Sequence, residues 1–414
     1  MKTRAVRLYA ANDMRLEEFE LPELKDNEIL IKVISDSACA STYKAVTQGV
    51  LHKRVPNDIG ERPIVIGHEL CGEIVEVGAE LKEEWKEGQK IVIQPALNMP
   101  DNDWSVGYSF PYVGGNMTYA IVPKEVLDCN CLLAYEGSGY FKGSLVEPLG
   151  CILRAFKGMY HNDLTNFERI DGVRENGKIA ILGGAGPMGL GAIDIALNYT
   201  NASMIVVTDL NEKRLNKAKR IFTPEAARKK GKELIYVNTS MIDDQVSYLR
   251  QLSGGFDDVL VMVPVAELAS VGEKILGLDG CMNFFAGPAV HELSGDFNLY
   301  RIHYDSIHIL GTAGSVPADT EETLKLIENG TLNPAVMVSH IMGINSVIST
   351  ISDMAKNEGF KKVCYTGIDL PLTSIDDFEK LGENDPMFKE LDRIVKEHDG
   401  LWCEEAEKYL LKNA

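Results

Sequence analysis

The stretch GKIAILGGAGPMGLGAIDIALNY, residues 177–199, limits the fold more than any other part of the chain. An apolar run, a glycine-rich turn and a second apolar run at helical spacing read as strand, tight turn and helix. Gly184, Gly186 and Gly189 fill a G-x-G-x-x-G pattern around Pro187 and Met188, and Asp209 follows at the end of the next apolar run, SMIVVTD. Each position has a physical reason. Gly184 permits the turn, Gly186 lets the backbone approach a pyrophosphate, and Gly189 allows the helix to pack close to the strand. The helix N-terminus offers N–H groups to the phosphates. Asp209 is placed to accept hydrogen bonds from the adenosine ribose and to repel a 2'-phosphate, which favours NAD(H). Lys213 and Arg214 follow closely, four and five residues on. Arg214 is a further cofactor-binding candidate, because it can turn towards a 2'-phosphate.

The surrounding pattern extends this unit. KELIYVN, FDDVLVMVP and GCMNFFAG continue the alternation of apolar strands with helical stretches. Such alternation predicts a parallel sheet covered on both faces, the doubly wound α/β arrangement. Residues 1–150 have another texture: RAVRLY, EILIKVISD, IVIGHELCGEIVEVG, QKIVIQPAL and MTYAIVP are short β-like runs between turn signals. The expected division is a β-rich domain over 1–151, a dinucleotide domain over 152–314, and a return to the first domain over 315–414. Residues 369–414 form an acidic, helix-leaning extension.

The formal charge of -19 argues against nucleic acid or an anionic membrane as partner, since phosphate surfaces need clustered Lys and Arg. No window approaches the roughly 18 apolar residues of a membrane span, and the start has no signal-like apolar stretch, so a cytoplasmic protein acting on a small molecule is expected. The eight cysteines include no C-x-x-C pair and read mostly as reduced, buried small hydrophobes.

Cys39 is an exception. It lies in SDSACASTYK just past a strand, while His68 and Glu69 stand side by side at the start of the apolar run VIGHELCGEIVEVG, and Glu147 lies in SLVEPLG before the dinucleotide domain. A thiolate, an imidazole and a carboxylate are a natural Zn²⁺ ligand set, and a catalytic zinc keeps one position open. Beside a dinucleotide it would polarise an alcohol or carbonyl. The remaining histidines, His161, His291, His308, His340 and His398, read as structural or exposed.

GHELCGEIVEVG resembles the GHExxGxxxxxG signature of the zinc-dependent medium-chain dehydrogenases, and the order of domains is similar over nearly the whole chain. The resemblance implies a GroES-like catalytic domain followed by a Rossmann domain. It implies Cys39 and His68 as zinc ligands, Glu69 as a carboxylate able to enter the metal's shell, Glu147 at the zinc directly or through water, and Ser41 as proton relay. The family often reads CxSDxH after the first ligand; here Thr42 and Lys44 replace the Asp and His, so the support around the ligands and the proton exit must differ. Residues 95–116 contain no cysteine, where many members carry four, so one catalytic zinc and no structural zinc are expected.

CASTYK and the C-terminal part of the chain further resemble the L-sorbose-1-phosphate reductases, which implies reduction of a ketose 1-phosphate to a hexitol 6-phosphate, usually with NADPH. A sugar-phosphate site needs cations, and Lys44, His52, Lys53, Arg54, Arg301 and His303 are candidates, with Lys44 preferred because it replaces a family residue that points into the site. A homodimer or homotetramer is the family-based expectation. The competing readings are a dehydrogenase of an unphosphorylated polyol or secondary alcohol, a zinc-free reductase, and a non-catalytic dinucleotide-binding protein.

Overall fold

The computed structural model describes every residue except 289, 291, 357 and 358, so the expectation for His291 lies outside the described residues. The chain forms two compact units, one of Met1–Pro148, Ser315–Gly330 and Met337–Ala414, the other of Leu149–Gly314 and Thr331–Val336.

The first unit is built mostly on antiparallel pairing, with one parallel pair, Val338–Gly343 against Lys361–Tyr365. Its main sheet runs in the order Thr373–Ser374, Val338–Gly343, Lys361–Tyr365, Ile29–Ser37, Leu70–Val77, Lys90–Ile93 and Leu132–Ala134, with Tyr119–Val122 also paired to Ile29–Ser37. Two registers matter for function. Cys364 pairs with Asp36, and Asp36 also pairs with Leu70. Three segments far apart in sequence, ending near Cys39, beginning at Glu69 and carrying Lys361, therefore converge at one end of neighbouring strands. A second sheet, Asp13–Glu20, Lys2–Ala10 and Ile64–Val65, precedes the GHE turn.

The C-terminal extension packs on this unit. Trp402 and Leu410 are fully enclosed, and Leu411 is half-buried. Within the helix Glu404–Asn413, Glu407 accepts hydrogen bonds from the backbone N–H groups of Tyr140 (2.7 Å) and Phe141 (2.8 Å) and from the Tyr365 hydroxyl (2.9 Å). The Trp402 indole N–H donates to the same Tyr365 hydroxyl at 2.7 Å.

The second unit holds a six-stranded parallel sheet in the order Glu233–Asn238, Met204–Asp209, Lys178–Leu182, Phe256–Val261, Leu276–Phe284 and His308–Leu310. Ile179 to Leu182, Ile205 to Val207 and Val259 to Val261 are all fully buried, as strands covered on both faces must be. The helix Pro187–Asn198 is buried from Gly189 to Leu197. Its Asp194 accepts from the Asn333 backbone N–H at 2.7 Å, which ties the returning segment 331–336 to this unit. His161 and His308 are structural here: His161 meets Asp258 at 3.0 Å, and His308 meets Asp279 at 2.9 Å. Among the described residues, no helix is long and apolar enough to cross a membrane.

Candidate functional site

Gly67 explains how the polar pair is delivered. Its φ of +88° is open to glycine at low cost, and a Cβ there would lie 2.7 Å from the Asn116 nitrogen and 2.8 Å from the Asp36 carboxylate. The chain turns sharply and sends His68 and Glu69 into the interior, where they are 3% and 0% exposed. Cys39 arrives from the other side as the residue preceding the helix Ala40–Gln48.

The donor atoms of Cys39, His68 and Glu69 all lie within 4.8 Å of one another. The Ser41 hydroxyl sits among them, 2.9 Å from Cys39 Sγ and 3.3 Å from His68 Nε2. On the far side of the imidazole, Nδ1 meets the Thr42 hydroxyl at 3.1 Å, so Nε2 is the nitrogen turned towards Cys39. Thr42, where the family often has aspartate, thus still orients the ring through a hydroxyl. Tyr108 packs its ring 4.9 Å from that of His68 and brings its own hydroxyl 3.4 Å from Nε2. The Tyr108 and Ser41 hydroxyls are also hydrogen-bonded to each other.

Glu69 is not held by the cysteine and histidine alone. Lys361 Nζ donates to both of its oxygens, at 2.5 and 2.6 Å, and the Ser37 hydroxyl donates to it as well. Below, Asp36 accepts from the Glu69 backbone N–H at 3.0 Å and from the Asn116 amide at 2.8 Å. Glu147 stands in the first turn of the helix Val146–Gly158; its carboxylate is not one of the converging donors, but its charge is felt at both Cys39 and Lys361. Lys44, half-buried, lies in the same helix as Ser41, and its charge bears on His52.

Burial dominates the electrostatics. It pushes the Cys39 thiol up to about 12, with Glu69 and Glu147 adding to the rise. It lowers His68 to about 4, helped by Lys361 and Arg54, so the imidazole is neutral at ordinary pH. It lifts Asp36 to about 8, and the neighbouring Glu69 contributes. Burial works against the Lys361 ammonium, but the facing Glu69 carboxylate holds it above the usual lysine range. A soft thiol that burial and the nearby carboxylates keep protonated, beside a neutral imidazole and a carboxylate, is a donor set that suits Zn²⁺, whose charge ionises a coordinating thiol. These residues fit the metal.

The glycine turn fits a dinucleotide on similar grounds. The left-handed residue of the turn is Gly183, with φ +67°, rather than Gly184. Gly184 is constrained by packing instead, since a Cβ would lie 2.7 Å from the Ile181 side chain. A Cβ on Gly189 would fall 2.0 Å from the Gly184 carbonyl oxygen, whereas one on Gly186 meets nothing within 4 Å. The space in front of Gly186 is open and capped by the helix Pro187–Asn198, with Met188 in its first turn. Asp209 accepts from the Ala185 N–H at 3.1 Å and from the Asn211 N–H at 2.9 Å, which fixes its carboxylate beside the turn. The Arg214 side chain is exposed.

Sequence reasoning missed Lys361, Tyr108 and Asp36. Asp36 sits three residues before Cys39 and was accessible as a polar residue ending an apolar strand. Lys361, in GFKKVCY, gave no local signal, because its partner is 292 positions away.

Comparison with known proteins agrees with this architecture. Residues 25–129 match the alcohol dehydrogenase GroES-like domain, and residues 187–329 match the zinc-binding dehydrogenase domain. The chain is 45% identical over 414 residues to mannitol-1-phosphate 5-dehydrogenase of Aliivibrio fischeri, covering 99% of this chain and 98% of that protein. It is 42% identical over 414 residues to L-sorbose 1-phosphate reductase of Klebsiella pneumoniae, covering 100% and 98%. Among solved structures, 2R,3R-butanediol dehydrogenase from Bacillus subtilis superposes with a TM-score of 0.72 at 22% identity, over 88% of this chain and 99% of that one. The GroES-like first unit, the Rossmann-type second unit and the full-length likeness to these relatives show that the chain is an oxidoreductase of the zinc-dependent medium-chain dehydrogenase family.

Proposed function

We propose that this protein interconverts a ketose phosphate and a polyol phosphate, with L-sorbose 1-phosphate and glucitol 6-phosphate as the leading pair, using one catalytic zinc and NAD(P)(H). The observation that carries the chemistry is the convergence of Cys39, His68 and Glu69 around the Ser41 hydroxyl. The likeness over the whole length to two relatives named for six-carbon sugar phosphates supports the substrate class.

Cys39 and His68 would hold the zinc, with Glu147 completing the set directly or through water. Bound zinc supplies Lewis acidity towards the substrate oxygen, and the nicotinamide supplies the hydride. Ser41 stands where a developing alkoxide needs a proton, and its hydrogen bond to Tyr108 gives that proton a second hydroxyl to move along. Thr42 keeps Nε2 of His68 aimed at the site by accepting at Nδ1–H, the role that outer partners of metal-binding histidines commonly fill. Lys361 pairs with Glu69 and fixes it beside the ligands, so that a carboxylate is held there without an unpaired buried charge. Gly184, Gly186 and Gly189 with Pro187 and Met188 would seat the pyrophosphate. Asp209, held close to that turn, supports NAD(H), while Arg214 and the likeness to the reductases leave room for the 2'-phosphate of NADP(H).

The test is initial-rate oxidation of glucitol 6-phosphate, mannitol 1-phosphate and free glucitol, with NAD and NADP in parallel, before and after a chelator. Chelator-sensitive turnover is expected to be fast on the phosphorylated polyols and slow on glucitol. Equal or better turnover of glucitol would overturn the sugar-phosphate reading.

A further inference from the structure

We propose that Arg54, backed by His52, is the group that binds the phosphate of the substrate; this rests on the sugar-phosphate reading above. After the helix Ala40–Gln48 and the short turn Gly49–Leu51, the chain doubles back so that residues 52–54 lie against Tyr108. The His52 ring stacks on Tyr108 at 5.6 Å with the planes 10° apart, and the Arg54 guanidinium lies 5.4 Å from the centre of the same ring. Tyr108 in turn touches His68 and shares hydrogen bonds with its Nε2 and with Ser41. A cation is therefore held one aromatic ring away from the atoms proposed to handle the reacting carbon.

The backbone of Arg54 is anchored and its side chain is not consumed. Its N–H donates to His52 Nδ1 at 3.3 Å, and its carbonyl accepts from the Ser109 hydroxyl at 2.7 Å. Among the described residues no carboxylate lies within ion-pairing distance of the half-buried guanidinium. Its neighbours contrast with it: Lys53 is paired with Asp103 at 2.9 Å, and Lys361 is spent on Glu69. In a chain with 61 acidic and 42 basic residues, a half-buried arginine that feels the Asp103 carboxylate only beyond ion-pairing distance is left with its fork of donors open to an anion. Burial and the charges of Arg54, Lys53 and Lys44 all hold His52 below its ordinary range, so three cations bear on one imidazole. The planar guanidinium, pre-positioned over an aromatic ring, matches the paired oxygens of a phosphomonoester better than a lysine would. Lys44, preferred on sequence grounds, belongs to the same positive cluster, but it is Arg54 that flanks the ring next to His68.

Full-length Arg54→Gln and Arg54→Lys would be assayed on glucitol 6-phosphate and on glucitol, and titrated calorimetrically with inorganic phosphate. Arg54→Gln should lower kcat/KM for glucitol 6-phosphate by about 100-fold, leave the slow glucitol rate within about twofold, and weaken phosphate binding, with Arg54→Lys recovering part of each. Equal losses on both substrates, or unchanged use of glucitol 6-phosphate with unchanged phosphate binding, would overturn the assignment. A wild-type protein without preference for the phosphorylated polyol would remove the sugar-phosphate reading and this assignment together. A wild-type preference that survives in Arg54→Gln removes the assignment alone.

Discussion

Burying Glu69 is tolerable only because Lys361 comes with it. The carboxylate side chain is 0% exposed and the ammonium 5%, so removing either leaves a charge with no water and no counter-ion. Lys361→Met should therefore destabilise the protein by about 3–5 kcal/mol, read as a lowered urea midpoint, whereas Lys361→Arg keeps a cation and should recover most of it. A Lys361→Met protein within about 1 kcal/mol of wild type would mean that the pair is not ionic. This residue also marks what a single sequence can disclose. Cys39, His68 and Glu69 were legible because polar groups interrupting an apolar strand demand a reason, and GHE puts two of them together. Lys361 and Tyr108 were not, because one sits in a strand where a lysine reads as an outward-facing residue, and the other in the cysteine-free loop 95–116 whose part in the site depends on tertiary packing. The cation cluster at residues 52–54 was visible as charge, but which of its members is left unpaired emerges only when Asp103 is seen beside Lys53.

Elements show the same division between local and long-range information. The strand, glycine turn and helix at 178–198 were plain from spacing, and the second and third glycines of the pattern carry distinct loads that a substitution can separate. Gly189→Ala drives a Cβ to within 2.0 Å of a backbone oxygen and should cost about 3 kcal/mol of stability by overpacking. Gly186→Val enters open space, so the loss should stay below about 1 kcal/mol while dinucleotide affinity, followed by nicotinamide fluorescence, falls at least about tenfold. Equal destabilisation by both would mean that the space before Gly186 is not reserved for a ligand. The extension 369–414 was legible as helical and acidic but not as to where it packs, since its anchor is a buried carboxylate. Burial lifts Glu407 to about 7, above the usual glutamate value of about 4.3, although three donors oppose the rise. With the folded pKa raised, the contribution to stability is full below about pH 4.3 and is lost as pH climbs through 7, by about 3 kcal/mol in all. Glu407→Gln cannot titrate, so its denaturation midpoint should change less between about pH 5 and 8 than that of wild type. Parallel profiles would show that Glu407 ionises normally in the folded protein.

At the level of the whole molecule, the chemistry is distributed unequally. All the proposed metal donors and their supports, from Asp36 through Tyr108 to Lys361, belong to the first unit; most come from three strand ends joined by long connections, Tyr108 from a loop and Glu147 from the helix Val146–Gly158. The parallel sheet of the second unit contributes none of them; its own buried carboxylates, Asp258 and Asp279, are met within that unit by His161, His308 and Arg174. This predicts a local response to metal loss. With zinc removed by a chelator, the Cys39 thiol is left in surroundings that push it up to about 12, so it takes up a proton and the cluster loses the ion that ties its donors together. Amide hydrogen exchange should therefore quicken in peptides covering residues 36–42, 66–70 and 361–365, by about tenfold or more, while residues 178–182 and 205–209 keep their protection. Restoring one equivalent of zinc should return the first group to its original rates. Loosening that spreads evenly over both units would show that the metal braces the whole chain, and unchanged exchange at residues 36–42 and 66–70 would show that Cys39 and His68 do not hold a zinc ion that matters to the fold.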